Sequence, residues 1–166
     1  MSDKNGSLNN FDLRELLTSD TVLARVSAKS WQEAANQAGQ LLIDAGKVES
    51  RYVEKMKQSL EEIGPYVVVA PGIALLHARP DDGVIEPCVS LVTLKDPVEF
   101  GHSENDPVDV VFAFGAKDKQ SHIPALRQLA GLLENLDVIN NIRNAETNEA
   151  LLEAFHFPEQ KGKLSV

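Results

Sequence analysis

The sequence has little of what marks most specialised proteins. Of its 166 residues one is cysteine, one tryptophan and two tyrosine, and aromatic residues make up 5%. A lone Cys88 cannot form an intramolecular disulfide, which excludes a disulfide-stapled scaffold and fits a reducing compartment. It stands in an apolar run, CVSLV, where a buried and unreactive thiol is expected. Basic residues are also scarce: 16 Lys and Arg face 25 Asp and Glu, for a net charge of −9. A surface this acidic repels phosphate backbones and anionic headgroups, so nucleic acid is excluded as a partner. No stretch approaches the roughly 18 apolar residues that span a bilayer, and the opening MSDKNGSLNN has no apolar signal core, so a cytoplasmic protein without membrane insertion is expected. Chemical motifs are missing too. Without H-E-x-x-H or a cysteine pair there is no local support for zinc, and without G-x-S-x-G none for a serine hydrolase. A Walker loop and G-x-G-x-x-G are absent, so no cofactor is expected.

What is present reads as one packed domain. The length allows roughly 70% of the unfolded chain's surface to be buried, and 43% hydrophobic with 25% charged residues is ordinary for a globule. Polar residues 1–9 read as a flexible leader, 10–157 as the domain and 158–166 as a flexible tail. TVLARV at 21–26 reads as a strand. Ser30 and Glu33 form a capping box opening a helix that Gly46 stops, with Ala34, Ala35, Ala38, Leu41 and Leu42 on its apolar face. A second helix over 50–63 aligns Tyr52, Val53, Met56, Leu60 and Ile63 and ends at Gly64-Pro65. YVVVA and IALLHA read as short strands around Pro71-Gly72, and CVSLVTL and VDVVFAFGA as further strands with the polar loop KDPVEFGHSENDP between them. Ser121 is expected to cap a helix with Pro124 in its first turn and Ile123, Leu126, Leu129, Ala130 and Leu133 buried. LDVINNI and NEALLEAF continue in helical period. Alternating strands and helices predict an α/β sandwich, a mixed sheet covered on both faces.

Four histidines compete for a role. His156 stands beside Phe157 and Pro158 at the end of the domain and is given no role, and His122, beside the expected cap, reads as a solvated surface residue. His77 ends an apolar run where a strand leaves the core, and His102 sits in a loop before a strand; strand-end loops are where α/β proteins build sites. The bland alternative, packed histidines with satisfied ring nitrogens, stays open at this level. The chemistry left standing is histidine as a nucleophile that takes up a phosphoryl group. Donors for the phosphoryl oxygens would be the N–H groups of Ala78 and Arg79, the Arg79 guanidinium or a second imidazole such as His102.

Three blocks, GPYVVVAPGIALLHARPDDGV, SLVTLKDPVEFGHSENDPVDVVFAF and SHIPALRQLAGLLEN, resemble the IIA component of the bacterial phosphoenolpyruvate-dependent sugar phosphotransferase system, of the mannitol/fructose-type fold. The L-ascorbate branch is the nearest. The resemblance runs from about residue 13 to 155 and implies a mixed sheet of about five strands flanked by helices on both faces. It implies a phosphotransferase in which His77, in the G-I-A-x-x-H block, accepts a phosphoryl group from the phosphocarrier HPr. The group then passes to a cysteine of a IIB component and, through it, serves a membrane IIC component. It matches His102 to a second histidine that stabilises the phosphoryl group, and Asn105 and Asp106 to loop-shaping positions. Two positions depart from the pattern. Leu76 stands where a proline commonly precedes the active histidine. Ser59-Leu60-Glu61-Glu62 replaces a segment that carries an arginine in mannitol-type relatives, and Arg79 is the candidate to supply that charge. Transport of L-ascorbate is the leading expectation; a phosphorylation-dependent regulator docking on a control protein is the alternative, and inert histidines in a binding domain a third. An apolar docking rim is expected around the site; Ile73, Leu75 and Leu76 lie so close to the core that the sequence does not say which of them it exposes, and a charge at Leu76 is expected to weaken transfer more than folding. The oligomeric state, a homodimer included, is left open.

Overall fold

In the computed structural model, which describes residues 12–156, the chain runs α1 (Leu13–Leu16), β1 (Val22–Val26), α2 (Trp31–Asp44), α3 (Ser50–Ile63), β2 (Val68–Ala70) and β3 (Ile73–Leu76). It continues through β4 (Cys88–Val98), β5 (Val108–Gly115), α4 (Lys119–Leu133), α5 (Leu136–Asn144) and α6 (Asn148–His156). The leader over 1–9 and the tail over 158–166 lie outside the described residues. The Ser30 hydroxyl accepts from Glu33 N at 3.2 Å and opens α2 as its spacing predicts. The return half of the box shifts by one residue, Glu33 Oε1 accepting from Lys29 N at 2.9 Å. Gly46 (φ 75°) and Gly64 (φ 113°) follow α2 and α3 in a backbone region that other residues rarely adopt.

The five strands lie in the order β1-β4-β5-β3-β2. β1 runs parallel to β4 and β3 parallel to β5, while β4–β5 and β2–β3 are antiparallel. The sheet is therefore mixed, as expected. Successive side chains of a strand point to opposite faces, and β3 divides its residues accordingly. Ala74 and Leu76 join the core under α2 and α3, among Ala38, Leu42, Tyr52, Val53 and Met56. Ile73 and Leu75 join the core under α4 to α6, among Phe112, Phe114, Leu129, Ile142 and Phe155. Each fully buried Leu or Phe stabilises by about 1.5–3 kcal/mol, so both faces must be covered. The α2–α3 contact is close enough to require Gly39, where a Cβ would lie 2.6 Å from Val53 Cγ2.

Three expectations are corrected. β4 does not stop at Leu94: it pairs again at Val98↔Val108 after a register break, with Lys95, Asp96 and Pro97 exposed in the bulge, where a proline without a donor is tolerated. α4 begins at Lys119, capped by Asp118, whose Oδ1 accepts from Ser121 N at 2.9 Å; Pro124 thus sits inside the helix, past its first turn. Ile63 and Ile123, placed on apolar stripes, are 71% and 50% exposed, and Ala130 on the α4 stripe is exposed too. Cys88 is buried as expected, and desolvation pushes its thiol up to about 12.

Candidate active site at the end of β3

β3 ends at Leu76, and the alternation that buries Leu75 under α4 delivers His77 to that same side. The His77 ring is fixed by a 3.0 Å contact between Nδ1 and the carbonyl oxygen of Leu75. A carbonyl only accepts, so Nδ1 carries the proton and donates, and Nε2 keeps its lone pair. The ring leans on Phe114, with centroids 5.0 Å apart, and meets the edge of Tyr66 at 6.1 Å. Burial lowers the His77 pKa from 6.5, and the neighbouring His122 lowers it further against the Leu75 bond, which raises it. The imidazole is therefore neutral at pH 7, the state a nucleophile needs.

The second imidazole at this site is His122, in the first turn of α4. Its ring centroid lies 5.4 Å from that of His77 and 5.8 Å from Phe114. Its Nδ1 is buried without a hydrogen-bond partner. The tautomer with the proton on Nε2 avoids an orphaned buried N–H and leaves Nε2–H as the donor. Burial lowers its pKa as well. Sequence reasoning read this residue as solvated surface. The signal available was topological: β3 and β5 are parallel neighbours, so the loop after β5 must start beside the loop after β3.

His102 is elsewhere. Its loop precedes β5, and Asn105 O accepts from Gly72 N at 2.8 Å, just before β3 begins. From Gly72 to His77 the chain advances about 16 Å, at about 3.3 Å per residue, so His102 lies at the opposite end of the sheet. Its Nδ1 accepts from Glu104 N (3.2 Å) and Asn105 N (3.0 Å). Asp106 Oδ2 accepts from the N–H groups of Phe100, Gly101 and His102 at 2.7–3.1 Å. Asn105 Nδ2 reaches Val68 O at 3.4 Å. All three residues hold the loop, and the pairing of His102 with His77 is withdrawn.

A cleft of about 680 Å³ opens over His77 and His122. Arg79 and Lys119 line it with Asp81 and Asp82, and Ile63, Tyr66 and Ile123 form its apolar edge. The two backbone donors expected after His77 are already engaged: Ala78 N donates to Tyr52 Oη at 3.0 Å and Arg79 N to Asp82 Oδ2 at 3.1 Å. That leaves side chains of the lining to meet a phosphoryl oxygen: the Arg79 guanidinium, Lys119 and His122 as nitrogen donors, with the Ser59 and Tyr66 hydroxyls beside them. Ser59 is also in the lining, whereas Leu76 is 1% exposed and packs under α2 and α3. The apolar edge of the cleft is formed by Ile63, Tyr66 and Ile123, and Ile73, Leu75 and Leu76 are all buried because β3 is covered on both faces, so a charge at Leu76 would act on the fold first.

Among the described residues no cluster of His, Cys, Asp and Glu could hold a metal ion, and no helix is long and apolar enough to cross a membrane.

Comparison with known proteins bears on this arrangement. The family model described as phosphoenolpyruvate-dependent sugar phosphotransferase system, EIIA 2, matches residues 15–157. The ascorbate-specific PTS system EIIA component of Escherichia coli K12 is 37% identical over 143 residues, covering 85% of this chain and 93% of the relative. The solution structure of the mannitol-specific cryptic phosphotransferase enzyme IIA CmtB from Escherichia coli superimposes with a TM-score of 0.76 at 29% identity, over 90% of this chain and 97% of that one. The fold also matches enzyme IIAMTL in its complex with phosphorylated enzyme IIBMTL from Escherichia coli, with a TM-score of 0.73 at 24% identity, over 84% and 97% of the two chains. A five-stranded mixed sheet of this topology, matched by sequence along nearly its whole length, places the chain in the EIIA 2 family of the phosphoenolpyruvate-dependent sugar phosphotransferase system, whose members are phosphotransferases carrying phosphoryl groups.

Proposed function

We propose that this protein is a cytoplasmic phosphocarrier in which His77 Nε2 accepts a phosphoryl group from phospho-HPr and hands it to a cysteine of a IIB component, in the service of L-ascorbate uptake. The observation that carries this reading is the Nδ1–H bond to Leu75 O, which leaves the Nε2 lone pair at the edge of an open cleft. In the first half-reaction that lone pair forms the new N–P bond while the N–P bond of the HPr phosphohistidine breaks, its electron pair staying on the HPr imidazole. In the second, a IIB thiolate attacks phosphorus and the electron pair of the breaking N–P bond returns to His77 Nε2. A phosphoryl group brings up to about two negative charges into the cleft. His122, Arg79, Lys119 and the positive end of α4 offset them without the backbone donors that Tyr52 and Asp82 occupy. The exposed Ile63, Tyr66 and Ile123 give both partners the same apolar footing around one histidine.

Ascorbate as the substrate class rests on the 37% identical relative, and IIB as the acceptor is in keeping with the complex that enzyme IIAMTL forms with phosphorylated enzyme IIBMTL. Incubation with enzyme I, HPr and ³²P-labelled phosphoenolpyruvate tests the reading. An acid-labile, alkali-stable label mapping to His77, discharged by the ascorbate IIB component, is the expected result. No label, or a label on another residue, rejects it.

A further inference from the structure

The β3–β5 ladder stops one residue short of where its strands would still be in register. Ile73, Ala74, Leu75 and Leu76 pair with Val110, Val111, Phe112 and Ala113. In a parallel ladder the next bond would run from the Ala78 amide to the Phe114 carbonyl. A phenol stands there instead. Tyr52, from α3, is fully buried. Its Oη accepts from Ala78 N at 3.0 Å and donates to Phe114 O at 2.7 Å, the nearer of two carbonyls, with Ala78 O at 3.3 Å. One oxygen thus replaces a direct backbone bond by a two-step bridge. The strands part at His77 without leaving either polar group unpaired.

The geometry points to Tyr52 as a positioning residue for phosphoryl transfer: its phenol wedge parts β3 from β5 and holds the His77 backbone so that the imidazole lies over Phe114 with Nε2 in the cleft. The consequence for chemistry follows from two further contacts. The wedge grips the amide that follows His77, while the Leu75 carbonyl grips the ring from the residue two before it. Backbone and ring are each fixed, so Nε2 is presented in one orientation before a partner arrives, which is how positioning lowers a transfer barrier. The wedge also anchors Phe114, on whose ring both His77 and His122 lean. Without it, closing the ladder would draw His77 toward β5 and change its distance from His122.

This inference rests on His77 being the phosphoryl acceptor, and the test separates the two. Tyr52→Phe keeps the ring and removes only the oxygen. In single-turnover labelling from phospho-HPr it is expected to react at least about tenfold more slowly than wild type. Its ¹⁵N-detected His77 resonances should show the Nδ1–H tautomer of the wild type giving way to a mixture. Ser90→Ala removes another buried hydroxyl bond, Ser90 Oγ to Ala38 O at 2.8 Å, under α2. It should lower the unfolding midpoint comparably and leave the labelling rate and the tautomer unchanged. A wild-type rate and unaltered tautomer in folded Tyr52→Phe overturn the proposal, as does an equal slowing in Ser90→Ala. If Tyr52→Phe does not fold, 4-aminophenylalanine at position 52 decides. Its amine still donates to Phe114 O but accepts poorly from Ala78 N, so slow labelling of a folded protein supports the wedge and wild-type labelling rejects it. Undiminished label on His77→Ala would defeat the functional reading alone, while the tautomer comparison would still stand for Tyr52.

Discussion

Each end of the sheet carries a histidine in a loop, and the two rings are used in opposite ways. At the C-terminal ends of β3 and β5, His77 Nδ1 donates to a carbonyl, so the ring keeps its other lone pair free beside a cleft. At the N-terminal ends, His102 Nδ1 accepts from two amides, and Asp106 closes the same loop by taking three more. The first ring is held by its proton and the second by its lone pair. A histidine that spends its acceptor on the backbone builds a loop. One that spends its donor is left nucleophilic.

The largest expected break in this comparison is His77→Ala. It should abolish phosphoryl labelling while the protein stays folded with a modestly lowered unfolding midpoint, because the lost ring gives up its packing on Phe114 and its bond to Leu75 O but sits at the edge of a cleft. His122→Ala should retain labelling at a rate reduced by roughly ten to a hundredfold. It removes one hydrogen bond to a charged group, worth about 1.5–3 kcal/mol, and 1.36 kcal/mol is about tenfold in rate. Stopped-quench labelling measures both, and an unchanged rate in His122→Ala would return the second role to an unidentified group.

The pH profile comes next in size. Burial lowers the pKa of His77 and of His122 in the folded protein, so the acid limb of the transfer rate should lie below pH 6.5. It should fall about tenfold per unit once His77 is protonated. The same shift acts on stability. The unfolded chain binds protons more readily than the folded one, so the contribution is complete above pH 6.5 and is lost as pH falls through the folded-state values. A urea midpoint that rose on acidification through this range would contradict the burial of these rings.

Ile123→Asp should weaken transfer by about three- to tenfold through KM, with the unfolding temperature unchanged, since the side chain is half exposed at the cleft edge. Leu76→Asp, on a residue that is 1% exposed, should instead fail to fold. The smallest effect on transfer is expected from His102→Ala: labelling within about twofold of wild type, with stability reduced by about 0.5–1.5 kcal/mol as two amides lose their acceptor. Slow transfer in this variant would revive a link between the two ends of the sheet.

Much of this was legible in the residues. Ser30 and Glu33, three positions apart, announce α2 because a cap needs only local geometry. His77 could be singled out because an apolar run ending in histidine after Pro71-Gly72 implies a strand end. Asp118 was overlooked as the cap of α4 because Ser121 offers the same chemistry three residues later, and only the backbone path decides between them. The extension of β4 past Leu94 was hidden by Lys95, Asp96 and Pro97, which read as a loop and form a bulge.

The choice between His102 and His122 was of another kind. Both stand next to a strand end, one before β5 and one after it, and nothing in their neighbouring residues says which end of β5 meets the end of β3. Composition, caps and periodicity determined most of the elements and the two apolar faces and marked His77 as a candidate, because these depend on contacts a few residues apart or on the total apolar surface. The parallel pairing of β3 with β5 decided the rest: it brought His122 to His77, carried His102 to the far edge, and let Tyr52 from α3 reach the one place where the ladder opens. Hydrogen bonds between strands set that direction, and they join residues more than thirty positions apart, beyond the reach of any local pattern.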